Sequence, residues 1–167
     1  WLLTSVWWWY PLVVIKDSPF DQALDSSKNM ISLTDVSKFY PSSEILFLKQ
    51  KNYFGPKTIW FNYFSSQPQR FMNILLVGLL VIGIFSAFKL PNGKILILLL
   101  IIGWFLVKGS NPPGGKEFYS WLFSTFRFTQ VLRNPYEKLG VIFLLPYSIL
   151  VAEGLTKASA TISPSSY

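Results

Sequence analysis

The chain has 167 residues, of which 51% are hydrophobic and only 14% charged, and its net charge is +7. Soluble domains carry about 25% charged residues, so the composition points to lipid rather than water as the solvent, and basic residues scattered between apolar runs favour anionic head groups or a phosphorylated substrate over nucleic acid. With no histidine and no cysteine, disulfides, thiol nucleophiles, imidazole acid–base chemistry and Cys/His metal sites are excluded.

Residues 1–15 (WLLTSVWWWYPLVVI) read as the end of a transmembrane helix. Trp7, Trp8, Trp9 and Tyr10 suit the bilayer interface, where a ring has one apolar and one wet side, and Pro11 marks a bend or helix end. An aromatic platform for a sugar or lipid is the functional reading of these rings; an interfacial anchor is the plainer one. No basic n-region precedes the run, so it is not a signal peptide, and the chain reads as an internal or C-terminal fragment of a larger polytopic protein.

Residues 16–70 form a polar connection with seven basic and five acidic residues, too long for a plain loop. A helix start is expected at Ser42, Ser43 and Glu44, with serine as cap, and another at Thr34 to Val36. Asp17, Asp21, Asp25 and Asp35 match no calcium-loop spacing and read as solvated acids. YFGP at 53–56 is a turn signal, and the aromatic run 59–64 lies on the membrane or under the loop.

Residues 71–88 (FMNILLVGLLVIGIFSAF) are uncharged and long enough to cross a bilayer. A short turn follows at 89–94 (KLPNGK), then a second uncharged run at 95–107 (ILILLLIIGWFLV). The two read as a transmembrane hairpin. The second run rises only about 20 Å, and the snorkelling stems of Lys94 and Lys108 extend it. A buried helix pair in a soluble core is the alternative.

Residues 108–133 form a second polar connection. Its start, GSNPPGG, is rich in helix breakers. Phe118, Trp121, Leu122 and Phe126 then recur at helical spacing and predict a short interfacial helix. The last transmembrane helix is expected over 134–156, with Asn134 as N-cap, Pro135 in the first turn, Glu137 reaching back to the cap and Pro146 as a kink. Glu153 reads as an exposed end residue or an intramembrane acid. Residues 157–167 read as a disordered tail.

The expected class is therefore all-α: a polytopic transmembrane helical fragment with two long polar connections holding short interfacial helices. Helix order puts both connections on one face and the turn and tail on the other. Two lysines in the turn against five basic residues over 108–138 leave the orientation open by charge alone.

Three stretches carry a family resemblance: WWWYPLV, KGSNPPGGKEFYSWLF, and FRFTQVLRNPYEKLGVIFLLPYSILVAEGL. Together they resemble the polytopic membrane glycosyltransferases of the GT-C superfamily, nearest to the YfhO-like, arabinofuranosyltransferase-like and membrane 6-pyruvoyl-tetrahydropterin-synthase-related proteins. The FR-x-P-x-K-like stretch departs from the family pattern, since Arg133 follows Val131 and Leu132 and Lys138 is displaced by one residue. The resemblance implies an integral protein of a prokaryotic plasma membrane. It also implies transfer of a sugar from a polyprenyl-phosphate donor to a cell-envelope acceptor. The superfamily's catalytic acid lies in an early outer loop outside this segment, so no catalytic residue is carried over.

Such a transfer needs a carboxylate base and positive charge or a metal on the leaving phosphate. No cofactor or metal site is identified in this segment, and a divalent metal is left open for the full-length protein. The local candidates for lipid-phosphate binding are Lys108, Lys116, Arg127, Arg133 and Lys138, with Arg133 and Lys138 set by the start of the last helix. Anchoring of that helix at the head groups is the competing reading. A non-enzymatic polytopic protein, a transporter subunit or assembly scaffold, is the alternative function. It calls for polar residues inside the spans, and the two central spans hold only Asn73 and Ser86.

Overall fold

A computed structural model describes residues 25–48 and 66–162. These are 81% helical with no strand among them, so the described chain is all-α. The aromatic run Trp7 to Tyr10, Asp17, Asp21 and the 53–64 stretch lie outside the described residues.

Helix α1, Ser26–Ser37, is started by Asp25, whose Oδ1 accepts from the amides of Ser27 and Lys28 at 2.9 and 3.4 Å. That bond satisfies amides left unpaired in a first turn. Thr34 to Val36 close this helix rather than open one. Asn29, Leu33 and Ser37, spaced by four, form its buried stripe. Helix α2, Ser42–Leu46, starts at Pro41 with no side-chain cap. Ser42 does not cap it, because its hydroxyl donates instead to the Pro112 carbonyl at 3.1 Å.

Helix α3, Gln67–Ala87, begins four residues earlier than the apolar run, since Pro68 in its first turn already has the helical φ. Helix α4, Gly93–Val107, runs back from it. Each buries one narrow seam at identical spacing: Asn73, Leu80, Gly83 and Ala87 on α3, and Gly93, Leu100, Gly103 and Val107 on α4. Helix α6, Pro135–Ile162, packs along both and buries a wider stripe from Gly140 through Phe143, Pro146, Tyr147 and Leu150 to Gly154. It continues through Pro146 and past residue 156, so the tail expected from 157 is helical to Ile162; Lys157, Ala158 and Ala160 are fair helix formers.

The helices approach at glycines. A Cβ on Gly83 would lie 1.8 Å from the Leu150 carbonyl oxygen, and one on Gly103 would lie 2.7 Å from the Phe143 Cα. Backbones this close leave room for no side chain, so these sites fix where α3 and α4 cross α6.

The connections gather at the end where α4 stops and α6 starts. Helix α5, Gly115–Thr125, and a 3-10 turn, Arg127–Leu132, pack on α1. The face of α5 differs from the expected one: Tyr119 and Phe123 are buried with Leu33, whereas Trp121 and Phe126 are 55% and 42% exposed. With aromatic residues on both faces, periodicity alone does not choose. Asn29 Nδ2 donates to Gln130 Oε1 at 2.8 Å, and Gln130 Nε2 donates to the Phe123 carbonyl at 3.1 Å, a buried polar tie between the two connections.

Candidate functional site

Lys108 closes α4 at this head and is fully buried. A buried ammonium needs partners. Its Nζ donates to the Pro113 carbonyl and lies 4.5 Å from the centre of the Phe105 ring and 5.2 Å from that of Trp104. Ring faces attract cations, and that attraction grows when water is excluded. Burial pushes the Lys108 ammonium below its ordinary value, and the charge of Glu117 partly opposes that.

The 109–114 loop folds over Lys108 because its groups are bonded to the first connection. Gly109 has φ +62°, and a Cβ there would meet the Ser37 hydroxyl at 2.3 Å. The Ser110 amide donates to Ser37 Oγ at 3.0 Å. Asn111 Nδ2 shares its two hydrogens among the carbonyls of Ser37, Tyr40 and Lys108, at 2.8, 2.7 and 2.9 Å. Trp104 Nε1 donates to the Ser42 carbonyl at 2.9 Å. Tyr119 donates from its hydroxyl to the Leu106 carbonyl at 2.7 Å, and burial raises its phenol above the ordinary range. Lys108 is thus an internal clasp and touches no solvent.

The other candidates lie apart from it. Arg133 follows the 3-10 turn and Lys138 sits in the first turn of α6; both are exposed, five positions apart across one junction. Lys116 is exposed at the start of α5, and Arg127 opens the 3-10 turn. Lys116, Arg133 and Lys138 form no ion pair with a described acid. The stacked rings of Tyr40 and Tyr136, 4.0 Å apart, fix the junction against the first connection.

The expected cap is absent. Asn134 Oδ1 is buried without a hydrogen-bond partner, and the helix opens on the Lys138 amide donating to the Asn134 carbonyl at 3.2 Å. Glu137 is exposed. Asp25 is engaged as a cap and Asp35 pairs with Lys38 at 2.7 Å. Among the described residues, no group of three carboxylates, cysteines or histidines gathers as a metal site. At the surface of the described head stand the exposed Lys116, Arg133, Glu137 and Lys138.

Sequence reasoning missed one contact at the other end. Ser86 Oγ donates to Glu153 Oε1 at 2.6 Å, and Lys157 stands 4.0 Å from the same oxygen. Glu153 is half-buried rather than an exposed end residue. A serine 67 positions away leaves no local signal.

No family description, curated protein or solved structure matches this chain, so the likeness to GT-C glycosyltransferases rests on the quoted residues alone.

Proposed function

We propose that this chain is a membrane-embedded segment of a polytopic protein that holds a lipid-linked phosphate at the head of a three-helix bundle. The observation that carries the membrane part is the exposure of apolar helices. The α3 and α6 spans are long and apolar enough to cross a bilayer, yet only 22% and 28% of their apolar windows are buried in the protein. A core helix of a soluble domain is mostly buried, and an apolar surface this large needs a non-aqueous neighbour. The aromatic chain from Phe105 through Phe118 to the exposed Trp121, Phe126 and Phe128 lies at the end of α4, where an interfacial belt belongs.

The proposed activity follows the GT-C resemblance: sugar transfer from a polyprenyl-phosphate donor to a cell-envelope acceptor at a prokaryotic plasma membrane. The chain's proposed contribution is binding, through Arg133 and Lys138, and by the same resemblance the catalytic acid lies in an early outer loop outside these residues. The test is a titration of the full chain in neutral-lipid nanodiscs with a long-chain polyprenyl phosphate. Saturable binding weakened about tenfold or more by Arg133→Gln/Lys138→Gln is expected, since one charge-assisted contact contributes roughly 1.5–3 kcal/mol. Binding unchanged in that variant would overturn the assignment and favour a scaffold.

A further inference from the structure

A cleft opens at the opposite end of the bundle, beside the α3–α4 turn. It encloses about 490 Å³ and is lined by Ile82, Phe85, Ser86, Lys89, Leu90 and Lys157. Lys89 comes from just past α3 and Lys157 from the last turns of α6, so two elements deliver the two cations. Lys94 adds a third at the start of α4 without lining the cleft. Among the described residues, Glu153 is the one carboxylate at this end. It is already held by the Ser86 hydroxyl, with Lys157 at 4.0 Å. Lys89 forms no ion pair with a described acid.

We infer that this cleft seats the head group of an anionic phospholipid. The proposal rests on the membrane reading above. Its chemistry is divided as such a lipid is divided. Ile82 and Phe85, 41% and 70% exposed, offer an apolar wall to an acyl chain, and Lys89, together with Lys157 in ion-pair range of Glu153, lines the same cleft for the phosphate. Among the described residues Lys89, Lys94 and Lys157 outnumber the one carboxylate at this end, Glu153, a balance that favours an anion there. A zwitterionic lipid brings its own ammonium into the cleft, whereas phosphatidylglycerol does not, so charge complementarity selects the anionic lipid.

The experiment is native mass spectrometry of the full chain released from bilayers of phosphatidylglycerol and phosphatidylcholine. The parent retains phosphatidylglycerol in preference. A direct charge-assisted contact with the phosphate contributes about tenfold or more, so Lys89→Gln lowers that preference by about tenfold and Lys89→Gln/Lys157→Gln by at least as much, while Lys94→Gln, outside the cleft, leaves it near the parent value. Parent-like preference in the double variant overturns the proposal. So does a loss in Lys94→Gln equal to that in Lys89→Gln, which marks diffuse attraction rather than a cleft. Carbonate extraction of the same membranes separates the two readings. A chain that stays in the pellet but shows no lysine dependence sinks the cleft alone; a chain that is released sinks the membrane reading with it.

Discussion

Gly83 and Gly154 face each other where α3 crosses α6, and neither has room for a methyl group. A Cβ on Gly83 would lie 1.8 Å from the Leu150 carbonyl oxygen, and one on Gly154 would lie 1.9 Å from that of Leu79. In lipid, apolar side chains gain little by leaving their solvent, so close backbone packing has to hold helices together. Gly83→Ala and Gly154→Ala should each lower the thermal midpoint in detergent. Gly78→Ala, where a Cβ meets nothing within 4 Å, should be neutral or slightly stabilising, because alanine is the better helix former by about 1 kcal/mol. Equal losses at positions 78 and 83 would sink the crossing.

Lys108 should be needed for its stem more than its charge. Lys108→Ala empties a fully buried site and should cost about 2–5 kcal/mol of unfolding free energy, as other long buried side chains do. Lys108→Met keeps the stem and removes the desolvated ammonium, and should stay within about 1.5 kcal/mol of the parent. The folded ammonium is held below its usual 10.5, so the folded chain binds this proton less well than the unfolded chain. That penalty is present at neutral pH and is relieved as pH rises through the folded value toward 10.5. The parent should therefore gain stability on the Met variant as pH rises; a constant difference would contradict the burial.

Asp25 has the opposite sign. The Ser27 hydroxyl, which donates to Asp25 Oδ1 at 2.6 Å, and the Lys28 amide hold its carboxyl below 3.8. Its support for α1 is present above that value and lost as pH falls below it. Asp25→Ala should speed amide exchange at Ser27 and Lys28 at neutral pH, and Asp25→Asn should largely preserve protection.

The Asn29–Gln130 tie should show coupling. Asn29→Leu strands a buried carboxamide oxygen and should cost about 1–3 kcal/mol. The double variant Asn29→Leu/Gln130→Leu should cost less than the two singles combined, by about 1 kcal/mol or more. Strict additivity in a denaturant double-mutant cycle would show that the two connections are not joined there.

The apolar helices were legible because an unbroken uncharged run is a local signal. So was the shared end for both connections, which follows from helix order. What escaped is long-range. Lys108 reads as a snorkelling lysine until the 109–114 loop and Ser37, more than 70 positions away, close over it. Glu153 reads as a helix end until Ser86 reaches it. Asn134 carries a capping signature, yet its side-chain oxygen is buried without a donor. In each case the deciding partner comes from another element, and no local pattern encodes it.

In the proposed arrangement α3 and α6, with the shorter α4 between them, cross a bilayer and leave both connections on one side. The chain has no cysteine, so single cysteines at the exposed Ser43, Asn92 and Ser120 are clean reporters. Sealed vesicles of known orientation would be treated with a membrane-impermeant maleimide before and after lysis. Ser43→Cys and Ser120→Cys should label from the same side and Asn92→Cys from the other. Labelling of all three from one side, or of Ser43→Cys and Ser120→Cys from opposite sides, would contradict that arrangement.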